Sequence, residues 1–466
     1  MIQLHATPFV TGIVLSLLAS GLIALPDEFT ALSDKFGNAT TLAGVPHATT
    51  TNPDGSGINF WTPGYEGADA TTASLSNPHM AAADAFGNIY IADKASHAIL
   101  KISADGSIHT FAGTHRAGFN GDGPDVATDL QISFPNGLFA LPDGIVYLLD
   151  PGNHRIRRVG LDGLMTTIVN DTDPGWAASG RGLWVSPDER LIYYAHEYRP
   201  IAPSTRTSGA TLKMWTPEGG IETVCSKAVG FRNPANIDVN PVDGKLYVTD
   251  RAEDDSTRVA TGLFRIDGRN QRTRITGNVT QAKAAPGQLA IKSFIEGPRG
   301  IAFLPNGAYF LCAHQGGDIW FVDTAGILHR YIQGSGKGDG YAIVGDQHPP
   351  LVGKNFMSEP RSVTLAPNGD LLVTCNDSGF VFRVRNVEAP SIAQDLRIRY
   401  DAGAVELEWI GTIGRGYRIE RCFDLRTDLW TRLGALGGQG PGTTVRIEDK
   451  PSLYPHHAYY RVLPAL

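Results

Sequence analysis

The sequence is short of charge, of cysteine and of long apolar runs, and each shortage removes a class of protein. Only 19% of its 466 residues are Asp, Glu, Lys or Arg, the net charge is −7, and basic residues nowhere cluster. Phosphate recognition needs clustered Lys and Arg, so nucleic acid is excluded as a partner. The four cysteines, Cys225, Cys312, Cys375 and Cys422, are scattered without a Cys-x-x-Cys spacing. That argues against a disulfide framework or a zinc knuckle. Cys312 and Cys375 fall at neighbouring repeat positions, where one inter-unit bridge or two buried thiols would both be consistent with the pattern.

One long apolar run exists, Phe9 to Leu25, with small residues at Ala19–Gly21 and Ala24 and an end at Pro26. It reads as the apolar core of a signal peptide over residues 1–25, although its leading segment carries His5 and no Lys or Arg. No second stretch approaches the ~20 apolar residues of a membrane-crossing helix. A secreted or periplasmic chain without a transmembrane segment is therefore expected, and as a monomer.

What is abundant is Gly (54) and Pro (29), which suits many short strands separated by turns. The segment NPHMAAADAFGNIYIADKASHAILKIS (77–103) is echoed by FPNGLFALPDGIVYLLDPGNHRIRRVG (134–160). The unit recurs as SGRGLWVSPDERLIYYAHE (179–197), NPANIDVNPVDGKLYVTD (233–250), GPRGIAFLPNGAYFLCAH (297–314) and EPRSVTLAPNGDLLVTCND (359–377). Six copies at a spacing of about 45 to 65 residues are a propeller-blade period with loop insertions. Pro142-Asp143-Gly144, Pro305-Asn306-Gly307 and Pro367-Asn368-Gly369 are tight-turn sequences between two strands. The strands are continuous apolar runs, as strands buried on both faces require. TTLAGV (40–45) copies the outer strand HTFAGT (109–114) of the first unit, while the sixth unit ends at FVFRVRNV (380–387). The N-terminal strand should therefore complete the last sheet and remove an open edge. The expected fold is all-β, a six-bladed β-propeller over residues 40–387.

AFGNIYIADKASHAILKI and GNHRIRRV resemble NHL repeats, whose signature includes the step Asn153-His154-Arg155-Ile156. The connectors GYEGADATTASLSNP (64–78) and GFNGDGPDVATDLQISFP (118–135) resemble the Gly-Asp-rich connectors of bacterial members. The similarity covers roughly 40–387 and is strongest in the first two units. From about Glu388 the pattern changes to alternating apolar and polar residues, with Trp409, Tyr417, Trp430 and Tyr460 as candidate anchors. Residues 388–466 read as a small fibronectin-like β-sandwich, a spacer or attachment module.

In a propeller the start of each innermost strand and the end of each second strand open on one mouth of the central channel. The first position holds His79, Asn136, Arg181, Ala235, Arg299 and Arg361. The second holds Asp93, Asp150, His196, Asp250, His314 and Asn376. Arginine suits bidentate recognition of carboxylate or phosphate, and histidine suits proton transfer or metal ligation. The mouth is thus expected to bind a small anionic or carbohydrate-like molecule. Candidate catalytic residues are His79, His196, His314 and Arg181; candidate substrate contacts are Arg299, Arg361, Asn136, Asp250 and Asn376. The opposing structural reading makes the arginines inter-blade pairs and the aspartates acceptors for their own turns. The structural reading is preferred for Asp93, Asp150, His97 and His154. The Gly-rich insert 334–360 lacks phosphate-loop spacing and reads as a rim or lid.

Three functions follow. NHL propellers include peptidylglycine amidating lyases, whose zinc is held by channel histidines; His79 matches one such position, and the other metal positions fall on Asn, Arg or Ala. A site of His79, His196 and His314 would have ligand types suited to a divalent metal such as zinc or calcium, and a metal-assisted lyase or hydrolase. GFRNPANIDVNPVDGKLYVTDRAEDD (230–255) resembles pyrroloquinoline-quinone sugar dehydrogenases, which implies Arg232 and Asn233 as quinone contacts. The third function is a non-catalytic scaffold binding a protein or a cell-surface glycan.

Overall fold

The computed structural model describes residues 27–386, apart from 46, 48–51, 53–56, 173–181, 197–209, 253–259, 336–350, 353–356, 358 and 377, and the backbones of six strands between 394 and 465. The leader reading, Arg181, most of the insert 334–360, the side chain of His196 and the C-terminal anchor side chains lie outside the described residues.

Six antiparallel sheets follow one another along the chain, each entered at its innermost strand. These innermost strands are Pro78–Ala83, Leu138–Ala140, Leu183–Val185, Pro234–Val239, Pro298–Phe303 and Pro360–Leu365. They touch in cyclic order, the sixth returning to the first, so the molecule is a six-bladed β-propeller. Its apolar core divides into six clusters, one between each pair of neighbouring blades. The second strands are therefore buried on both faces, which is why they do not alternate, whereas outer strands such as Gly220–Cys225 do.

The expected turns are present. Gly144, Gly307 and Gly369 take φ near +90°, at 91°, 90° and 85°, and their amides donate to Leu141, Leu304 and Ala366 carbonyls at 2.8–3.0 Å. Only glycine enters that region without a Cβ clash. The ring closes as the repeat copy at 40–45 demands. Phe36–Ala43 lies antiparallel to Phe380–Asn386, with Thr40 opposite Arg383 and Thr41 opposite Phe382. A helix the sequence reading did not anticipate, Glu28–Lys35, precedes it, capped by the Asp27 carboxylate accepting from the Thr30 amide at 2.9 Å. The Glu28 carboxylate reaches two turns of blade five, accepting from Asn306 Nδ2 at 2.9 Å and the Thr324 amide at 3.0 Å. Phe29 stacks on His329 with centroids 4.6 Å apart.

Side chains on the second strands bolt neighbouring innermost strands together. Thr249 Oγ1 accepts from the Asn236 amide at 2.9 Å and donates to the Arg299 carbonyl of the next blade at 2.6 Å. Cys312 Sγ does the same one blade on, accepting from the Gly300 amide at 2.8 Å and donating to the Pro360 carbonyl at 3.6 Å. Thr249→Val keeps the volume and leaves both buried backbone groups without the hydroxyl, so it should cost roughly 1–3 kcal/mol in chemical denaturation. Cys225, Cys312 and Cys375 are buried and in no disulfide. The inter-blade bridge is thus not formed, because Cys312 spends its sulfur on this seam.

Beyond the ring, Gln394–Asp401, Ala404–Ile410 and Thr444–Asp449 form one three-stranded antiparallel sheet. Thr431–Leu436, Gly416–Cys422 and Tyr459–Ala465 form another.

Candidate functional site

Strand direction alternates within each blade, so the inter-blade connectors and the loops between second and third strands all leave from one end of the ring. The strand ends at Asn170 and Leu183, His196 and Thr211, Asp250 and Gly262, and Ile332 and Pro360 all lie at this end. The opposite end carries short hairpins. Long loops on a rigid scaffold are where binding sites are built.

At this end the innermost strands begin with a bulge. Pro78 pairs with Asp93 and Met80 with Ala92, so His79 is an extra residue. Pro360 pairs with Cys375 and Ser362 with Thr374, so Arg361 is another. In blade five Arg299 and Gly300 together face Cys312, between the pairs Pro298–Ala313 and Ile301–Leu311. A bulge re-aims the side chain it inserts, and here it falls on four consecutive blades, at Ala235–Asn236 in blade four and at Arg299, Arg361 and His79 in the next three. The strands of blades five and six approach so closely that a Cβ on Gly300 would stand 2.5 Å from the Val363 amide nitrogen. Arg299 and Arg361 therefore leave the backbone on either side of one tight seam.

Around that seam the charged groups are buried and in contact. His314, just past the second strand of blade five, is 5% exposed, and its Nε2 lies 3.1 Å from Glu359 Oε2. Arg361 NH2 lies 3.4 Å from the same oxygen, and Arg299 is 2% exposed. On the other side, His79 Nδ1 sits 2.9 Å from the Asn77 carbonyl and 3.3 Å from Asn376 Nδ2. The structure thus brings Arg361 to His314 through Glu359, and His79 to Asn376. Asn136 is fully buried on blade two, across the ring from blade five.

Glu359 was missed by sequence reasoning, which looked after the repeat's proline and not before it. It takes φ +43° at the position that Asn77 and Gly297 occupy at +65° and +62°. A glutamate in a left-handed slot is uncommon and marks strain held by its surroundings. The signal available was a residue poorly suited to the slot that its counterparts fill with Asn or Gly.

The aspartates behave as local clamps. Asp93 Oδ1 accepts from the Ser76 amide at 2.6 Å, and Asp150 Oδ1 from the Ser133 amide at 2.7 Å. Asp250 accepts the amides of Arg232, Asn233 and Ala252 at 2.8–3.0 Å, so its carboxylate is used in fastening the start of blade four. Arg232 and Asn233 meet Asp250 through their main chains. Asp150 is also paired with the buried Arg157 at 3.2 Å. His97 and His154 close their loops in left-handed conformations, at φ 53° and 59°.

Burial pushes the Asp93 carboxyl up to about 7 from its ordinary 3.8. Between those values the native state holds a proton that the unfolded chain has released. Stability should therefore fall as pH rises from about 4 to 7. Asp93→Asn keeps an acceptor for Ser76 and removes that slope. Urea melts of the two proteins should diverge across this window, by at most about 1.4 kcal/mol per pH unit.

Among the described residues no group of three or more His, Cys, Asp or Glu stands ready to hold a metal ion. His79 and His314 lie in different contacts, with Asn376 and with Glu359, and the third proposed ligand, His196, has no described side chain.

No family model matches the chain, and no curated protein does. Among solved structures, a Bacteroides thetaiotaomicron protein of unknown function is similar at TM-score 0.51 and 14% identity, over 74% of this chain and 75% of that one. An auxiliary nutrient binding protein from Bacteroides ovatus is similar at TM-score 0.50 and 12% identity, over 75% and 76%. A gluconolactonase from Xanthomonas campestris follows at TM-score 0.46 and 13% identity, over 75% and 97%. These likenesses are of fold.

Proposed function

We propose that the chain is a ligand-binding propeller whose loop-bearing mouth, at the junction of blades five, six and one, takes a small anionic molecule of carbohydrate character. The observation that carries this is the pair of bulge-borne arginines, Arg299 and Arg361, flanking one backbone seam, with the buried Glu359 carboxylate 3.4 Å from Arg361. A planar guanidinium matches a carboxylate bidentately, so two arginines at one seam suit an anionic group. His314, His79 and Asn376 supply hydrogen-bonding groups suited to hydroxyls. The nutrient-binding activity named for the Bacteroides ovatus structure is compatible with this chemistry.

Matched sugars test it. Galacturonate and glucuronate should raise the melting temperature, and galactose and glucose should not, because a ligand bound only by the native state stabilises it by mass action. The effect should shrink as salt is added. Equal responses to acid and neutral sugars would remove the arginines from the account, and no response to either would favour the scaffold reading.

A further inference from the structure

Among the described residues only two phenylalanine, tyrosine or tryptophan side chains are exposed, Phe119 at 43% and Phe134 at 38%, and both belong to the connector between blades one and two. Their backbones are tied to one corner at the mouth end of blade two. The Asp150 carboxylate accepts from the Ser133 amide at 2.7 Å and from Asn153 Nδ2 at 2.9 Å, and Asn153 Nδ2 also donates to the Gly118 carbonyl at 2.7 Å. Phe134 stands on the channel side, just before Asn136 and edge-on to His97 with centroids 4.6 Å apart. Phe119 stands over the third strand, Arg155–Val159, with the Arg155 guanidinium 3.9 Å from its ring centre and held in turn by Asp122 at 2.7 Å.

Core packing explains neither ring. Neither joins any of the six apolar clusters, and Phe134 takes φ +58° in the slot before the repeat's proline. A bulky side chain is an outlier there, and strain of that kind clusters at binding sites. The exposed aliphatic residues of blade two, Val126 and Leu161, lie at the hairpin end, Val126 opposite Leu164 at the start of the outer strand. The two rings are thus not part of a broad apolar patch of the kind a protein partner covers. Single rings set among polar groups suit sugars, because one face of a pyranose is lined with C–H bonds that the electron-rich face of an aromatic ring attracts. We infer, on the reading of the mouth as an acidic-sugar site, that Phe119 and Phe134 extend that site into a track over blade two, whose ligand is an acidic oligosaccharide. Reach supports more than one sugar unit. Blade one separates Arg361 from Phe134, and packed sheets stand about 10 Å apart, so a single sugar ring held by the arginines does not extend to Phe134.

Galacturonate and its linear trimer, titrated calorimetrically into the full chain, are the probes. The trimer should bind about tenfold or more tightly than the monomer, the value of two stacked rings. Phe119→Ala and Phe134→Asn should each weaken the trimer about threefold to tenfold and leave the monomer's affinity unchanged. Asn77 fills the same slot in blade one at φ 65°, so the melting temperature of Phe134→Asn should stay level or rise. A trimer no tighter than the monomer in the wild type, a trimer advantage that survives the double variant, or equal losses for both sugars would each overturn the track and leave the mouth standing. Binding of neither sugar would remove the mouth reading, and the track with it.

Discussion

Removal of residues 1–43 is expected to abolish cooperative folding, the largest single effect on stability available in this chain. The strand Phe36–Ala43 is the fourth strand of blade six, and without it Phe380–Asn386 becomes an open edge, a template for aggregation. The loss also reaches the core. Phe36 is 3% exposed and meets Phe310 and Tyr331 edge-on, each with centroids 5.9 Å away. Phe36→Ala alone should cost about 3–5 kcal/mol by leaving a cavity there. Calorimetry checks both: the truncated chain should show no single sharp transition, and Phe36→Ala should keep one at lower temperature. A truncated chain that melts as sharply as the full one would mean that the ring closes by another strand.

The second large effect is expected at Glu359. Its carboxylate stands between His314 and Arg361, with all three side chains at most 14% exposed. Removing one member of a buried ionic contact costs about 3–5 kcal/mol. Against that stands the left-handed backbone at φ +43°, which costs an L-residue roughly 1–2 kcal/mol and glycine nothing comparable. Glu359→Ala should therefore be the least stable variant, because it loses the carboxylate and keeps the strain. Glu359→Gly should recover about 1–2 kcal/mol of that loss. Glu359→Gln, which keeps an acceptor of the same shape, should lie closest to wild type. Urea denaturation gives the order directly. Equal stability of the Ala and Gly variants would mean that the backbone relaxes and no strain is held.

The ring could be read from the chain because repetition averages out the ambiguity of any one segment. Six repeated units, five of them Pro-led, and three Pro-x-Gly turns agree on one architecture, and the outer-strand copy at 40–45 locates the seam. The helix Glu28–Lys35 escaped for the opposite reason. It is a single short element, and its two large apolar residues, Phe29 and Leu32, make sense only against blades five and six, with which they pack. At the mouth, residue types and repeat positions were enough to nominate His79, Arg299, His314, Arg361 and Asn376. They were not enough to separate Asp250, whose neighbours in sequence look like those of a site and whose oxygens hold three main-chain amides. Nor did they reveal Glu359, whose role depends on a backbone angle and on a contact from another blade. Periodicity carries the scaffold, whereas the departures from it that make a site are set by three-dimensional neighbours.

The most direct test of the mouth as an anion site is titration calorimetry of galacturonate into wild type, Arg299→Ala and Arg361→Ala. Two guanidiniums at one seam predict saturable one-to-one binding to the wild type and a loss of about tenfold or more in each variant, the value of a charge-assisted hydrogen bond. Saturable binding whose affinity is unchanged in both folded variants would contradict the account.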